Sequence, residues 1–189
     1  MKGVVFNILE DVVSEEHGES AWDDLLDEAG VEGAYTAIGS YSDAEFVQLL
    51  QCLPGAQDYA LSEALRLFGR SAMARLAALY PALFEPHSST TPFLLTLNDI
   101  IHPAVRCLYP GADVPVFDFT VAPVEDGSDL VVGYRSARRL CYLAEGFIEG
   151  AAAHFGESVA VCQAECMNNG APECLISCTF SAAGPLGEY

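Results

Sequence analysis

The hydrophobic pattern of this 189-residue chain changes period at Tyr109-Pro110-Gly111, and that change constrains the fold more than any other feature. Before it, apolar residues recur every three or four positions, the spacing of one buried helix face. After it, Val114, Val116, Phe119, Val121 and Val124 mix β-branched and aromatic side chains in the manner of strands. A chain written this way folds as helices first and an antiparallel sheet second, an α+β arrangement.

The helical part reads in six pieces. Val5, Ile8, Leu9, Val12 and Val13 share one face from Gly3 to Val13. Ser20 caps a second helix that buries Trp22, Leu25, Leu26 and Ala29 and ends at Gly30. Ser42-Asp43-Ala44-Glu45 is a capping box opening a third helix, with Phe46, Leu49, Leu50 and Leu53 inward and Pro54-Gly55 as its stop. Leu61 to Leu79 is the longest helix, broken at Tyr80-Pro81. Thr91-Pro92 starts a segment through Phe93, Leu94 and Leu97, with threonine as cap. Pro103 biases His102 away from helix, so His102 is expected at a kink or at the start of a helix from Pro103 to Tyr109.

In the strand region, a first strand ends at Glu125-Asp126-Gly127-Ser128 and Leu130 to Tyr134 returns. A helix then runs from Arg139 to Phe155. Ser158 to Met167 and Glu173 to Ser181 form a second hairpin around Asn168-Asn169-Gly170. The whole, 1–189, is expected to be a single domain, with residues 1–60 as a helical lobe and 61–189 as a second lobe holding the sheet and its inserted helix.

Hydrophobic residues make up 51% of the chain, enough for an ordinary core with an apolar cavity inside it. The net charge of −19, from 8 basic and 27 acidic residues, repels phosphate backbones and anionic lipid, which argues against nucleic acid and membrane partners. Arg66, Arg70 and Arg75 interrupt the most apolar helical stretch, and the amino terminus meets acids before a signal region develops. A cytoplasmic protein is expected, its seven cysteines reduced, buried or metal-bound. No phosphate loop, Ser/His/Asp arrangement or paired carboxylates stand out, so an enzyme is not expected.

Two clusters carry chemistry. His102, flanked by Ile101 and Pro103, is either a core histidine bonded to a carbonyl or a haem ligand. His17, His87 and His154 have polar, surface-like neighbours. Arg135, Arg138 and Arg139 fall within five positions of a strongly acidic chain, which asks for an anion. In an extended backbone Tyr134, Ser136 and Arg138 share one face, where they converge either on carboxylates or on the chain's own acids.

A third cluster lies near the carboxyl end. Cys162 and Cys166 are separated by an even number of residues, as are Cys174 and Cys178, so each pair is expected on one strand face. Centring the turn on Gly170 sets Cys166 opposite Cys174 and Cys162 opposite Cys178. Residues four apart on a regular strand lie about 13 Å apart, too far to share one zinc at about 2.3 Å per sulfur, so a bulge or curl is required. Cys141, Cys162, Cys166 and Cys174 are the expected zinc ligands, with Cys178 as substitute for Cys162; the competing reading is that small apolar thiols pack beneath the helix. Cys52 and Cys107 read as isolated thiols.

Taken together, Met1-Lys2-Gly3, His102 after an apolar helix, Pro115 after Gly111-Ala112, and Tyr134-x-Ser136-x-Arg138 resemble, from end to end, the haem-nitric oxide/oxygen binding (H-NOX) family, also the haem domain type of soluble guanylate cyclase. The resemblance implies the H-NOX fold and haem b, with His102 as axial iron ligand, Tyr134, Ser136 and Arg138 on the propionates, and Pro115 pressing on the ring. Oxygen-binding members place a distal tyrosine five residues after the signature arginine, where this chain has Leu143; Val5, Leu9, Ala72 and Leu76 are further apolar pocket candidates. The resemblance therefore implies a nitric oxide sensor that excludes oxygen. Its trigger is weakening of the iron–His102 bond, and its partner is a signalling histidine kinase or diguanylate cyclase. Some relatives carry a cysteine-rich zinc site in this region. The alternatives are a redox-responsive zinc/thiol module and a haem-free binder of a small apolar ligand.

Overall fold

The computed structural model describes residues 1–121 and 129–182. Helices α1 (Gly3–His17), α2 (Ala21–Ala29), α3 (Asp43–Gln51) and α4 (Leu61–Leu79) come first, then the short α5 (Pro81–Phe84) and α6 (Thr90–Leu95). A π-helical turn, Leu97–Ile101, leads directly into α7 (His102–Leu108). Strands β1 (Val116–Val121) and β2 (Leu130–Arg135), helix α8 (Cys141–His154), and strands β3 (Glu157–Glu165) and β4 (Cys174–Ala182) complete the chain. The expected strand end at Val124 and its turn at 125–128 lie outside the described residues.

Local signals end the helices where their chemistry requires. Gly30 closes α2 in the left-handed conformation (φ 66°), and Ser42 Oγ accepts from Ala44 N–H at the start of α3. The reciprocal half of the capping box is absent, because the Glu45 carboxylate accepts from Tyr35 Oη instead. Nor does Thr91 cap α6. Glu157 reaches across from β3 to accept from Thr90 N–H and Oγ, a carboxylate at a helix N-terminus. Gly3 is required by close approach, since a Cβ there would lie 1.9 Å from the Thr36 carbonyl oxygen.

The four strands form one antiparallel sheet in the order β1-β2-β4-β3. Its inner face carries Phe117 and Phe119 from β1, Leu130, Val132 and Tyr134 from β2, and Cys174, Ile176 and Cys178 from β4. Helix α8 covers that face and packs along α4 at very short range: a Cβ on Gly146 would sit 2.1 Å from the Arg66 carbonyl oxygen, and one on Gly69 2.6 Å from that of Leu143. One hydrophobic core gathers α1 to α3 against the first half of α4, and a second gathers the rest of α4 with α8 and the sheet. Leu76, Tyr142 and Phe147 touch both. Among the described residues, no helix is long and apolar enough to cross a membrane.

Candidate haem and thiol sites

Proline after His102 is accommodated without breaking the helix. His102 keeps helical angles (φ −64°, ψ −38°), contrary to the bias that Pro103 imposes, because the turn before it is wider than an α-turn. Ile101 N–H donates to Thr96 O at 3.1 Å, a five-residue step, and His102 N–H donates to Leu97 O. The wider turn moves the carbonyl that the proline ring would strike, and such turns concentrate at functional positions. Asn98 ties the turn to the sheet: its Nδ2 donates to Phe117 O (2.6 Å) and its Oδ1 accepts from Phe117 N–H (3.4 Å).

His102 is 8% exposed and opens onto a cavity of about 500 Å³. Burial pulls its pKa down to about 4, with Arg106 one turn along adding repulsion, so the imidazole is neutral near pH 7, the form that ligates a metal. Phe117 lies 5.6 Å from it, ring centre to ring centre. Val5, Met73, Leu76, Phe93, Leu143 and Phe147 give the cavity an apolar wall from α1, α4, α6 and α8, and Pro115 joins them from the chain leading into β1. Leu9 and Ala72, expected at the pocket, are instead buried in the amino-terminal core beside Phe6 and Phe68. His17 and His154 are both exposed, and His154 rests its ring against Phe84 and Phe155.

Tyr134, Ser136 and Arg138 also line the cavity, but not by alternation along a strand. β2 ends at Arg135, and a turn closed by Arg139 N–H to Ser136 O, with Arg139 at φ 53°, brings the three together. Tyr134 is 3% exposed. Burial raises the pKa of its hydroxyl, opposed by hydrogen bonds from Ser136 and from Leu140 N–H, the latter at 3.0 Å. Arg138 grips Asp43 in a two-pronged pair, Nε to Oδ2 and Nη2 to Oδ1, both 2.8 Å. The terminal amine of Met1 bonds the same carboxylate at 2.7 Å. Burial works against the Asp43 charge, but these two cations hold its pKa below the ordinary carboxylate value.

An apolar cavity with one neutral imidazole and a convergent tyrosine, serine and arginine matches haem, whose faces are apolar and whose two carboxylates share one edge. The local sequence around Asp43 gave no sign of its role, because its partners are 42 and 95 residues away. Tyr80 and Tyr109 form another cross-chain pair on the cavity, hydroxyl to hydroxyl. Each precedes a proline and takes nearly the same non-helical angles, φ −130° and −128°, at the ends of α4 and α7. The sequence marks both helix ends but not their meeting.

A thiol cluster sits behind Tyr134. Cys174 pairs with Tyr134 in the register, and Cys141 follows Leu140, whose N–H the tyrosine hydroxyl accepts. Cys141, Cys166 and Cys174 are buried with their sulfurs within 4.8 Å of one another, and Cys141 and Cys166 are 3.7 Å apart. Tetrahedral zinc at 2.3 Å per sulfur sets neighbouring sulfurs about 3.8 Å apart, so the spacing fits. Cys162 does not join them. It is exposed and pairs with Ser177, while Cys178 pairs with Val161. The expected face-sharing fails because the register slips between Gln163 and Glu165, and one extra residue turns Cys166 inward while leaving Cys162 outward. Cys178 is buried farther along β4, its thiol donating to Ile176 O.

Comparison with known proteins agrees with this geometry. The family model described as "Haem-NO-binding" matches residues 2–163. An H-NOX protein from S. oneidensis, solved in its Fe(II)NO state, is 28% identical with a TM-score of 0.87, covering 96% of this chain and 99% of that one. The Fe(II) unliganded H-NOX protein from K. algicida is 25% identical at TM-score 0.80, with both chains fully covered. The IWP-051-bound H-NOX from Shewanella woodyi, in its Fe(II)CO state, is 27% identical at 0.79, covering 100% and 99%. With its π-turn histidine, its apolar cavity and its Tyr-Ser-Arg turn, the chain belongs to the haem-NO-binding, or H-NOX, family of haem-based gas sensors.

Proposed function

We propose that this protein is a cytoplasmic nitric oxide sensor that excludes oxygen and signals to a separate protein, a histidine kinase or a diguanylate cyclase, rather than an enzyme. One observation carries the reading: His102 heads a helix and faces a cavity where Val5, Leu76 and Leu143 present no N–H or O–H. Ferrous haem supplies an iron that takes nitric oxide tightly without a hydrogen-bond donor, whereas bound oxygen, with superoxide-like charge, is stabilised by one. Tyr134, Ser136 and Arg138 would hold the haem carboxylates, Arg138 sharing its grip between them and Asp43, and Pro115 on the cavity wall would bear on the ring. His102 at the head of α7 would hold a haem iron, and the Asn98–Phe117 bonds would couple the turn before that helix to β1, the route by which a displacement of α7 would reach the sheet. Cys141, Cys166 and Cys174 are a zinc site, which metal analysis of the reduced protein tests.

The discriminating measurement is the absorbance spectrum of ferrous wild type and His102→Gly, with and without nitric oxide. The unliganded spectra are expected to differ and the nitric oxide spectra to coincide. A stable oxy spectrum of the wild type in air defeats the selectivity. A wild type with no Soret band favours a haem-free apolar-ligand binder.

A further inference from the structure

We infer that Gln163 supplies the fourth ligand of the metal held by Cys141, Cys166 and Cys174, through its side-chain oxygen Oε1. The inference rests on the zinc reading above and goes beyond it by assigning a three-thiolate, one-amide site. A closed tetrahedral zinc needs four ligands, and the clustered thiols are three. Neither remaining carboxyl-end thiol completes the set. Cys162 faces solvent on the opposite side of β3. Cys178 is four residues from Cys174 along a regular strand, about 13 Å, and its thiol is engaged with Ile176 O.

Gln163 is placed where they are not. It pairs with Ile176, so it shares the inner face with Cys174 and Ile176, and it lies on the diagonal from Cys174. Its amide also lies beside the Cys141 thiol. Both amide atoms are buried, and neither has a hydrogen-bond partner among the described residues. Buried amides are ordinarily satisfied, so an orphaned one beside three clustered thiols points to a ligand that the thiols share. A cation there satisfies Oε1 and leaves Nε2 to donate toward a thiolate sulfur.

The same register slip that removes Cys162 creates this arrangement, because it brings Gln163 and Cys166 onto one face across Ala164 and Glu165. Charge favours it as well. Zinc with three thiolates carries −1 and with four carries −2. All three thiols are buried, so the smaller net charge costs less to hold there. A neutral oxygen among soft thiolates is also the weakest of the four bonds, and so the position that opens first.

Zinc K-edge X-ray absorption on the reduced full-length protein, with chelator competition, tests the assignment. The wild type is expected to show three sulfurs near 2.3 Å and one oxygen near 2.0–2.2 Å. Gln163→Cys is expected to give four sulfurs, Cys162→Ser no change, and Gln163→Leu about 10-fold or greater loss of zinc retention. Four sulfurs in the wild type, or a shell unchanged in both Gln163→Cys and Gln163→Leu, overturns the role of Gln163 and leaves the zinc site standing. No zinc bound by the wild type after reconstitution overturns the zinc reading itself.

Discussion

Replacing Gly146 with alanine tests whether the α4–α8 contact is as close as it looks. Judged locally the change stabilises, since alanine in a helix interior is favoured over glycine by about 1 kcal/mol. The tertiary contact opposes it. The new methyl would lie 2.1 Å from the Arg66 carbonyl oxygen and 3.0 Å from Arg66 Cα, both backbone atoms that cannot rotate away. Restoring an ordinary separation moves α4 back by about 1 Å. A gap of that size forfeits up to half of each dispersion contact, and overpacking of this kind costs about 1–3 kcal/mol. The retreat also strains the Arg66–Glu145 pair (Nη2 to Oε2 2.7 Å), in which the Glu145 carboxylate is almost fully buried, adding about 1–2 kcal/mol. The net loss is about 3 kcal/mol, which for a chain this size lowers Tm by roughly 6–12 °C. Thermal unfolding of the purified protein followed by circular dichroism measures it. A Tm that is unchanged or higher refutes the close-contact argument, because it means that helix propensity outweighs packing here.

Other expected outcomes follow from the site. Leu143→Tyr places a hydroxyl on the apolar wall. It should give the ferrous protein a stable oxygen spectrum in air, with dissociation slowed about 10- to 100-fold by a charge-assisted hydrogen bond; unchanged oxygen behaviour counts against the selectivity mechanism. Asp43→Asn removes the charge shared by Arg138 and the Met1 amine. Because Asp43 is partly exposed, the cost is about 1 kcal/mol at pH 7. The folded pKa of Asp43 lies below its ordinary value, so that contribution is complete above pH 4 and fades as pH falls further; urea midpoints of wild type and variant should converge in acid. Asn98→Ala deletes both bonds to the Phe117 backbone. It should cost about 1 kcal/mol and weaken the response of β1 amide hydrogen exchange to nitric oxide without altering the haem spectrum.

The helical half was legible because its signals are local. Gly30 and the Tyr80-Pro81 and Tyr109-Pro110 stops act within a few residues, and α2, α4 and α7 each end one residue before them, whereas β1 begins only at Val116, five residues after Gly111. The candidate haem-site residues were named through a motif rather than through geometry: the extended face assumed for Tyr134, Ser136 and Arg138 is a turn that converges the same side chains on the cavity. Long-range pairing was not legible. Glu157 rather than Thr91 caps α6, Asp43 spans residues 1 and 138, and Leu9 faces a core instead of the cavity.

The cysteines divide the two kinds of information most clearly. Spacing alone determined that β4 carries Cys174 and Cys178 on one face, because strand parity is fixed by the backbone. Whether β3 keeps its parity depends on how it pairs with β4, and a single slipped residue reverses every side chain beyond it. That slip turns Cys166 inward to join Cys141 and Cys174 and leaves Cys162 facing out. Composition and periodicity determine which elements form; register, a property of two strands at once, decides which side chains meet.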